Sequence, residues 1–382
     1  MKTDQVNHMR CPECTLALTL PPLAHRQKAL CPRCGYQLTQ YRNQALDKVL
    51  AYSLAALCFL GASLPFDFMI FSSRGQFQTI SIPLSISTLM EQDYLLLAAV
   101  QIMAIYLLPA CILLGLIYLC LFLRRDRYPP RGAWVKRLIY AMLPWSMAEI
   151  FLVGALISLI KMNDIAEIHL GMSFYAYLIF TLCFIAVLYY LDEHQLVEQL
   201  RHSGQERWQK AQRQPKPPGR MIQRTWALLL AATILYIPAN LLPIMNTRLL
   251  GRDDPSTILS GVVKLWQNGS YPIAVIIFVA SLLVPVSKLL VLGWLTYSIQ
   301  RQSRMLKKWR THLYRITDFI GRWSMLDVFV VAILVSLVQM GNTMAVYPGP
   351  AAIAFAAVVI ITMLAANSFD ARMIWNPKLD EK

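Results

Sequence analysis

The chain has 382 residues, of which 57% are hydrophobic and 15% charged, with a mean hydropathy of +0.46. Soluble globular proteins carry about a quarter charged residues, so an ordinary soluble protein is excluded and a membrane protein is implied. The formal charge of +15 suits nucleic acid or anionic lipid, and no basic, aromatic-laced soluble domain supports the first.

Residues 1–47 are polar and carry Cys11-Pro12-Glu13-Cys14 and, sixteen residues on, Cys31-Pro32-Arg33-Cys34-Gly35. Paired CxxC knuckles at this distance are the signature of a four-thiolate metal site. A tetrahedral thiolate set suits one zinc ion per chain, held structurally because four protein ligands leave no open position. The same knuckle also fits iron, as in rubredoxin-type sites. Two disulfides or free thiols are the bland alternatives, and disulfides need an oxidising compartment. No cleaved signal peptide is expected here.

Eight apolar runs follow, each near or above the roughly 20 residues that cross a bilayer. The first four are Val49–Phe71, Leu95–Leu123, Leu138–Ile160 and Met172–Leu191. The second four are Thr225–Met245, Ile273–Ile299, Phe319–Val338 and Pro350–Ala366. The third run contains Trp145-Ser146-Met147-Ala148-Glu149-Ile150-Phe151-Leu152-Val153. The seventh contains Trp323-Ser324-Met325-Leu326-Asp327-Val328-Phe329-Val330-Val331, the same pattern 178 residues later. Pro65 and Pro243 share that spacing. A period so long implies two copies of a four-helix membrane module, 48–191 and 225–370, rather than a solenoid.

Loop charges set the expected topology. Six basic residues separate runs two and three, seven lie between Arg201 and Arg224, and six between Arg301 and Arg315. The opposite loops hold only Arg74, Lys161, Arg248, Arg252 and Lys264. Positive charge concentrates on the cytoplasmic side, so both termini are expected there. The linker 192–224 and tail 371–382 are cytoplasmic on the same argument. On the outer side, Gln76-Phe77-Gln78-Thr79-Ile80-Ser81-Ile82 alternates polar and apolar and predicts a strand, with 247–271 as its counterpart.

Together these residues resemble the paraquat-inducible protein A family of Gram-negative inner-membrane proteins. The resemblance rests on the cysteine ribbon, Trp145–Leu152, Pro238-Ala239-Asn240-Leu241-Leu242-Pro243-Ile244, Gly269-Ser270-Tyr271-Pro272 and Gly321-Arg322-Trp323-Ser324-Met325. It covers nearly the whole chain. It implies two tandem tetraspanin-like modules, each with a cytoplasmic zinc ribbon, four helices and short extracytoplasmic strands. It also implies a lipid-handling subunit that works with a periplasmic mammalian-cell-entry (MCE) tunnel protein. The family usually has a second ribbon before the second module. Residues 192–224 contain no cysteine, so no second metal site is expected.

Lys288 is the leading functional candidate, deep in run six behind Val284-Pro285-Val286-Ser287. A lysine at the bilayer centre costs about 2.5–3.5 kcal/mol, so it persists where it is partnered or useful. Contact with an anionic headgroup, a structural pair with Asp327 and snorkelling are the competing readings. Glu149 and Asp327, early in their helices, read as dipole complements or partners of Arg137 and Arg322. Asn240 reads as satisfying a broken helix end. Cys58, Cys111, Cys120 and Cys183 read as packing residues. No phosphate loop or nucleophile–base spacing is found, so an enzyme is not expected. Lipid transfer, a proton-coupled transporter or channel for a small solute, and redox or metal sensing remain as classes. Few intramembrane charges and no helical His pair favour the first.

Overall fold

The computed structural model describes residues 7–21, 23–73, 76–91, 95–162, 167–203, 218–249, 252–267, 269–301, 306–326, 329–330, 333, 339–340 and 344–375. Two antiparallel hairpins come first, β1 (Asn7–Arg10) with β2 (Ala17–Leu20) and β3 (Lys28–Leu30) with β4 (Gln37–Gln40). Each knuckle turns between the strands of one hairpin. The Cys11 amide donates to the Leu16 carbonyl at 2.9 Å, and the Cys31 amide to the Tyr36 carbonyl at 2.8 Å.

The membrane body begins with α1 (Ala45–Ala62), followed by β5 (Met69–Ser73), β6 (Gln76–Ile80) and α2 (Ile82–Glu91). Next, α3 (Leu95–Ile102) runs through a π segment, Met103–Leu107, into α4 (Leu108–Arg124). Then α5 (Gly132–Met142) passes through a 3₁₀ turn, Leu143–Trp145, into α6 (Ala148–Met162). β7 (Glu167–Leu170), α7 (Met172–Tyr190) and α8 (Glu193–Ser203) complete this half.

The same order recurs. It gives α9 (Pro218–Leu241), β8 (Met245–Leu249), β9 (Arg252–Ser256) and α10 (Ile258–Gln267). α11 (Tyr271–Phe278) runs through a π segment, Val279–Leu283, into α12 (Val284–Gln300). α13 (Lys307–Gly321) passes through a 3₁₀ turn, Arg322–Met325, to Leu326. β10 (Gln339–Met340), β11 (Met344–Pro348) and α14 (Pro350–Ser368) follow. Both π segments stand directly before a proline near the start of the next helix, Pro109 and Pro285. A proline has no N–H for the helix ladder, and the wider turn absorbs the mismatch.

Among the described residues seven spans are long and apolar enough to cross a membrane. They correspond to seven of the eight runs; the other, Phe319–Val338, lies partly outside the described residues. Runs one and five end earlier as helices than as hydropathy. α1 stops at Ala62 and α9 at Leu241, while Met69–Phe71 and Met245 belong to strands. Hydropathy does not register the change of direction that the prolines at 65 and 243 impose.

The strands form two small sheets at the helix ends remote from the ribbon, ordered β6-β5-β7 and β10-β11-β8-β9. The predicted strand over Gln76–Ile82 is β6, shorter by two residues. Its hairpin partner is β5, which overlaps the end of the first apolar run.

The first half packs around aromatic rings. Phe68, Phe151, Phe174, Tyr177 and Phe180 meet at centroid distances of 5.2–6.3 Å. The second half instead brings the alanine-rich face of α14 close against α9, as small residues allow between membrane helices. The halves meet through α6. Phe151 and Phe329, equivalent positions of the repeated motif, pack edge to face at 5.9 Å.

Candidate functional site

The four cysteines predicted as ligands come together. Their sulfurs all lie within 4.8 Å of one another, and all four residues are buried. Cys11 Sγ is 3.6 Å from Cys34 Sγ, and Cys14 Sγ is 3.5 Å from Cys31 Sγ. Disulfide sulfurs sit about 2.05 Å apart, so these are free thiols in a cluster. A tetrahedron of ~2.3 Å Zn–S bonds has edges of ~3.8 Å, close to this spacing. The donor set and geometry fit a metal ion.

The backbone around the thiols suits thiolates. Gly35 takes φ +70° and its amide donates to the Cys31 carbonyl at 2.8 Å. In the first knuckle Thr15 takes the same left-handed conformation, at φ 59°. That is an uncommon position for a β-branched residue, and its hydroxyl bonds the Cys14 carbonyl at 2.7 Å. Burial pushes the Cys14 thiol up to about 11. At Cys31 burial also raises the pKa, but the backbone N–H groups of Cys34 and Arg33 outweigh it and bring the thiol to about 7.

The ribbon is docked rather than tethered. Its cysteines share a core with Leu295, Ile299, Phe369, Met373, Ile374 and Trp375 at the end of the second half. Arg315 of α13 grips Glu13 from Nε at 2.9 and 3.1 Å and also from Nη2. None of this was legible, because Glu13 and Arg315 are 302 residues apart.

A cavity of about 240 Å³ lies where the halves meet. Leu143, Ser146 and Glu149 line it from the first half; Lys288, Asp318 and Asn367 line it from the second. Both broken helices contribute. The 3₁₀ turn of the Trp-Ser-Met motif interrupts α5–α6 so that α6 begins at the cavity, with Glu149 in its first turn. A carboxylate there complements the helix dipole.

Lys288 is 2% exposed. Its aliphatic chain lies over Gly321, where an added Cβ would meet Nζ at 2.8 Å and Cε at 2.9 Å. Asp318, one turn before Gly321, lines the same cavity, and no described carboxylate reaches ion-pair distance of the amine. Asp327 lies outside the described residues, as does the side chain of Arg322. Asn240 is elsewhere: its Nδ2 donates to the Tyr236 carbonyl at 2.8 Å in the last turn of α9. Sequence reading missed Asp318 and Ser146 as cavity residues. Asp318 precedes the seventh apolar run and looks like an ordinary charge on the amphipathic α13.

The profile described as Paraquat-inducible protein A matches the chain twice, over residues 46–201 and 222–378. The chain is 35% identical to "Intermembrane transport protein PqiA" of Escherichia coli strain K12, over 97% of this chain and 95% of that protein. It is 28% identical to the same organism's "Lipophilic envelope-spanning tunnel protein A", over 97% and 91% respectively. "Probable intermembrane transport protein" of Haemophilus influenzae is 27% identical, over 96% and 95%. No solved structure matches the chain.

Proposed function

Because the chain belongs to the paraquat-inducible protein A family, we propose that it is the inner-membrane component of an intermembrane lipid transport system. In this reading it passes lipid between the inner membrane and a periplasmic MCE tunnel protein. The observation that carries it is the full-length likeness to proteins named for intermembrane transport and for a lipophilic envelope-spanning tunnel. The multi-pass helical body, and relatives named as transport proteins, are in keeping with a transporter.

Several features support two tandem four-helix modules, 48–191 and 225–370, in a tetraspanin-like arrangement. The family profile matches twice, the element order recurs, and Phe151 meets its equivalent Phe329. The four thiols are assigned to one zinc ion, which fixes the small ribbon that Cys11, Cys14, Cys31 and Cys34 close. Loop charge supports a cytoplasmic ribbon, linker 192–224 and tail, with both sheets on the periplasmic side.

Lys288 is assigned to the anionic headgroup of a lipid in the cavity. The geometry supporting this is a buried amine on a wall shared with apolar Leu188 and Met363. The test is purification of the tagged chain from native membranes in mild detergent, with mass spectrometry of what accompanies it. An MCE-domain protein and phospholipid above the level of an unrelated multi-pass control are expected. Recovery of neither would overturn the reading.

A further inference from the structure

The ribbon makes two separate sets of contacts, one with each half of the membrane body. β4 meets the first half at Asp192, just past α7. One oxygen of that carboxylate accepts from the Thr39 hydroxyl at 2.9 Å and the Gln40 amide at 2.8 Å. The other caps α8, accepting from the His194 and Gln195 amides at 2.9 and 3.2 Å. The Gln195 side chain then donates to the Gln40 carbonyl at 3.2 Å.

The second half is met by the metal knuckles themselves. Glu13 lies between ligands Cys11 and Cys14, and Arg315 holds it from two nitrogens. The same guanidinium donates to the carbonyl of ligand Cys34 at 3.1 Å. Arg372 donates to the Pro12 carbonyl at 3.1 Å. Arg33 stands 4.7 Å over the ring of Trp375, whose indole N–H donates to Thr311 of α13 at 3.1 Å. A planar guanidinium gripping a carboxylate and a knuckle carbonyl fixes orientation as well as distance.

We propose that the ribbon is a clasp across the two halves, set by its metal, and that Arg315 is the positioning residue through which the knuckles hold α13. Asp318 lies one turn beyond Arg315, and α13 ends at Gly321 against Lys288. The clasp therefore fixes the helix that forms one wall of the cavity. One ribbon reaching both halves also gives this chain a means of bracing them without a second ribbon. The proposal rests on the metal assignment made above, but not on lipid transport.

Hydrogen–deuterium exchange of the full chain in nanodiscs tests it, with metal content measured in parallel. Glu13→Gln and Arg315→Gln should keep the metal and speed exchange across 307–321 by about tenfold or more, as loss of a charged hydrogen-bond pair implies. The charge-reversed pair, Glu13→Arg with Arg315→Glu, should restore much of the protection. Asp192→Asn should speed exchange over 193–203 and leave 307–321 protected. Chelation should loosen both. Metal bound with wild-type exchange over 307–321 in both single variants would overturn the clasp alone. A wild-type chain without metal would overturn the metal assignment and the metal-set clasp together.

Discussion

At the scale of single residues, the proposed function rests on Lys288 and the cysteines. Lys288 stood out in the sequence because an ammonium inside an apolar run is costly, and the structure finds it buried at a cavity. What surrounds it was not legible. Gly321 leaves the room that the lysine stem occupies, and Asp318 comes from a helix that sequence alone assigns to the surface. If Lys288 meets a headgroup, Lys288→Met should abolish envelope lipid transport while membrane abundance and zinc content stay normal. Lys288→Arg should keep part of the activity, since the charge remains and its shape changes. Full activity and normal abundance for Lys288→Met would remove the residue from the mechanism. The cysteines were readable from spacing because each knuckle is local, and the two thiol pairs then close over only 23 and 17 residues. Cys31→Ser should abolish metal binding and unfold the ribbon, while the helices remain inserted. Elemental analysis beside circular dichroism checks both parts.

At the scale of elements, hydropathy located the spans and missed their breaks and junctions. The motif Trp-Ser-Met was visible as a repeat, yet its structural meaning is a 3₁₀ interruption in each half. Nothing in composition distinguishes an interrupted span from a continuous one, although Pro144 is a local signal in the first copy. Two glycines were overlooked. Gly171 precedes α7 and Gly349 precedes α14, at the repeat's own spacing. A Cβ on Gly171 would stand 2.0 Å from the Asp67 carbonyl oxygen, and one on Gly349 would stand 2.1 Å from that of Pro243. In both places the glycine amide also donates to a neighbouring carbonyl, Phe68 at 3.1 Å and Ile244 at 2.8 Å. Backbone meeting backbone cannot swing aside as a side chain can. Gly349→Ala should therefore cost about 2 kcal/mol or more and lower the thermal unfolding temperature in detergent. Alanine at Gly61, inside α1 where a Cβ meets nothing within 4 Å, should not lower it.

At the scale of the molecule, the self-similarity of the sequence becomes a contact between equivalent residues, Phe151 and Phe329. The repeat could be read from the chain because matched residues leave matched letters. The docking of the ribbon could not, because Asp192, Arg315 and Trp375 meet it only after the helices have folded. Orientation in the membrane is a matter of charge, and it predicts the outcome of accessibility labelling in intact cells. On a background with native cysteines replaced, Gln78→Cys should react with an impermeant reagent and Lys210→Cys should not. The reverse pattern would invert the topology and put the ribbon outside.

The proposed lipid transport requires that lipid enter the cavity between the halves and be held there by Lys288. Photo-crosslinking in living cells addresses this directly, with a photoreactive residue replacing Leu188 on the cavity wall and, as a control, Leu290, which is 68% exposed on the outer helix surface. Mass spectrometry should find phospholipid attached at position 188 in the otherwise native chain and largely lost when Lys288→Met is added. Attachment at position 290 should not depend on Lys288. No lipid at position 188, or the same yield with and without the lysine, would contradict the account.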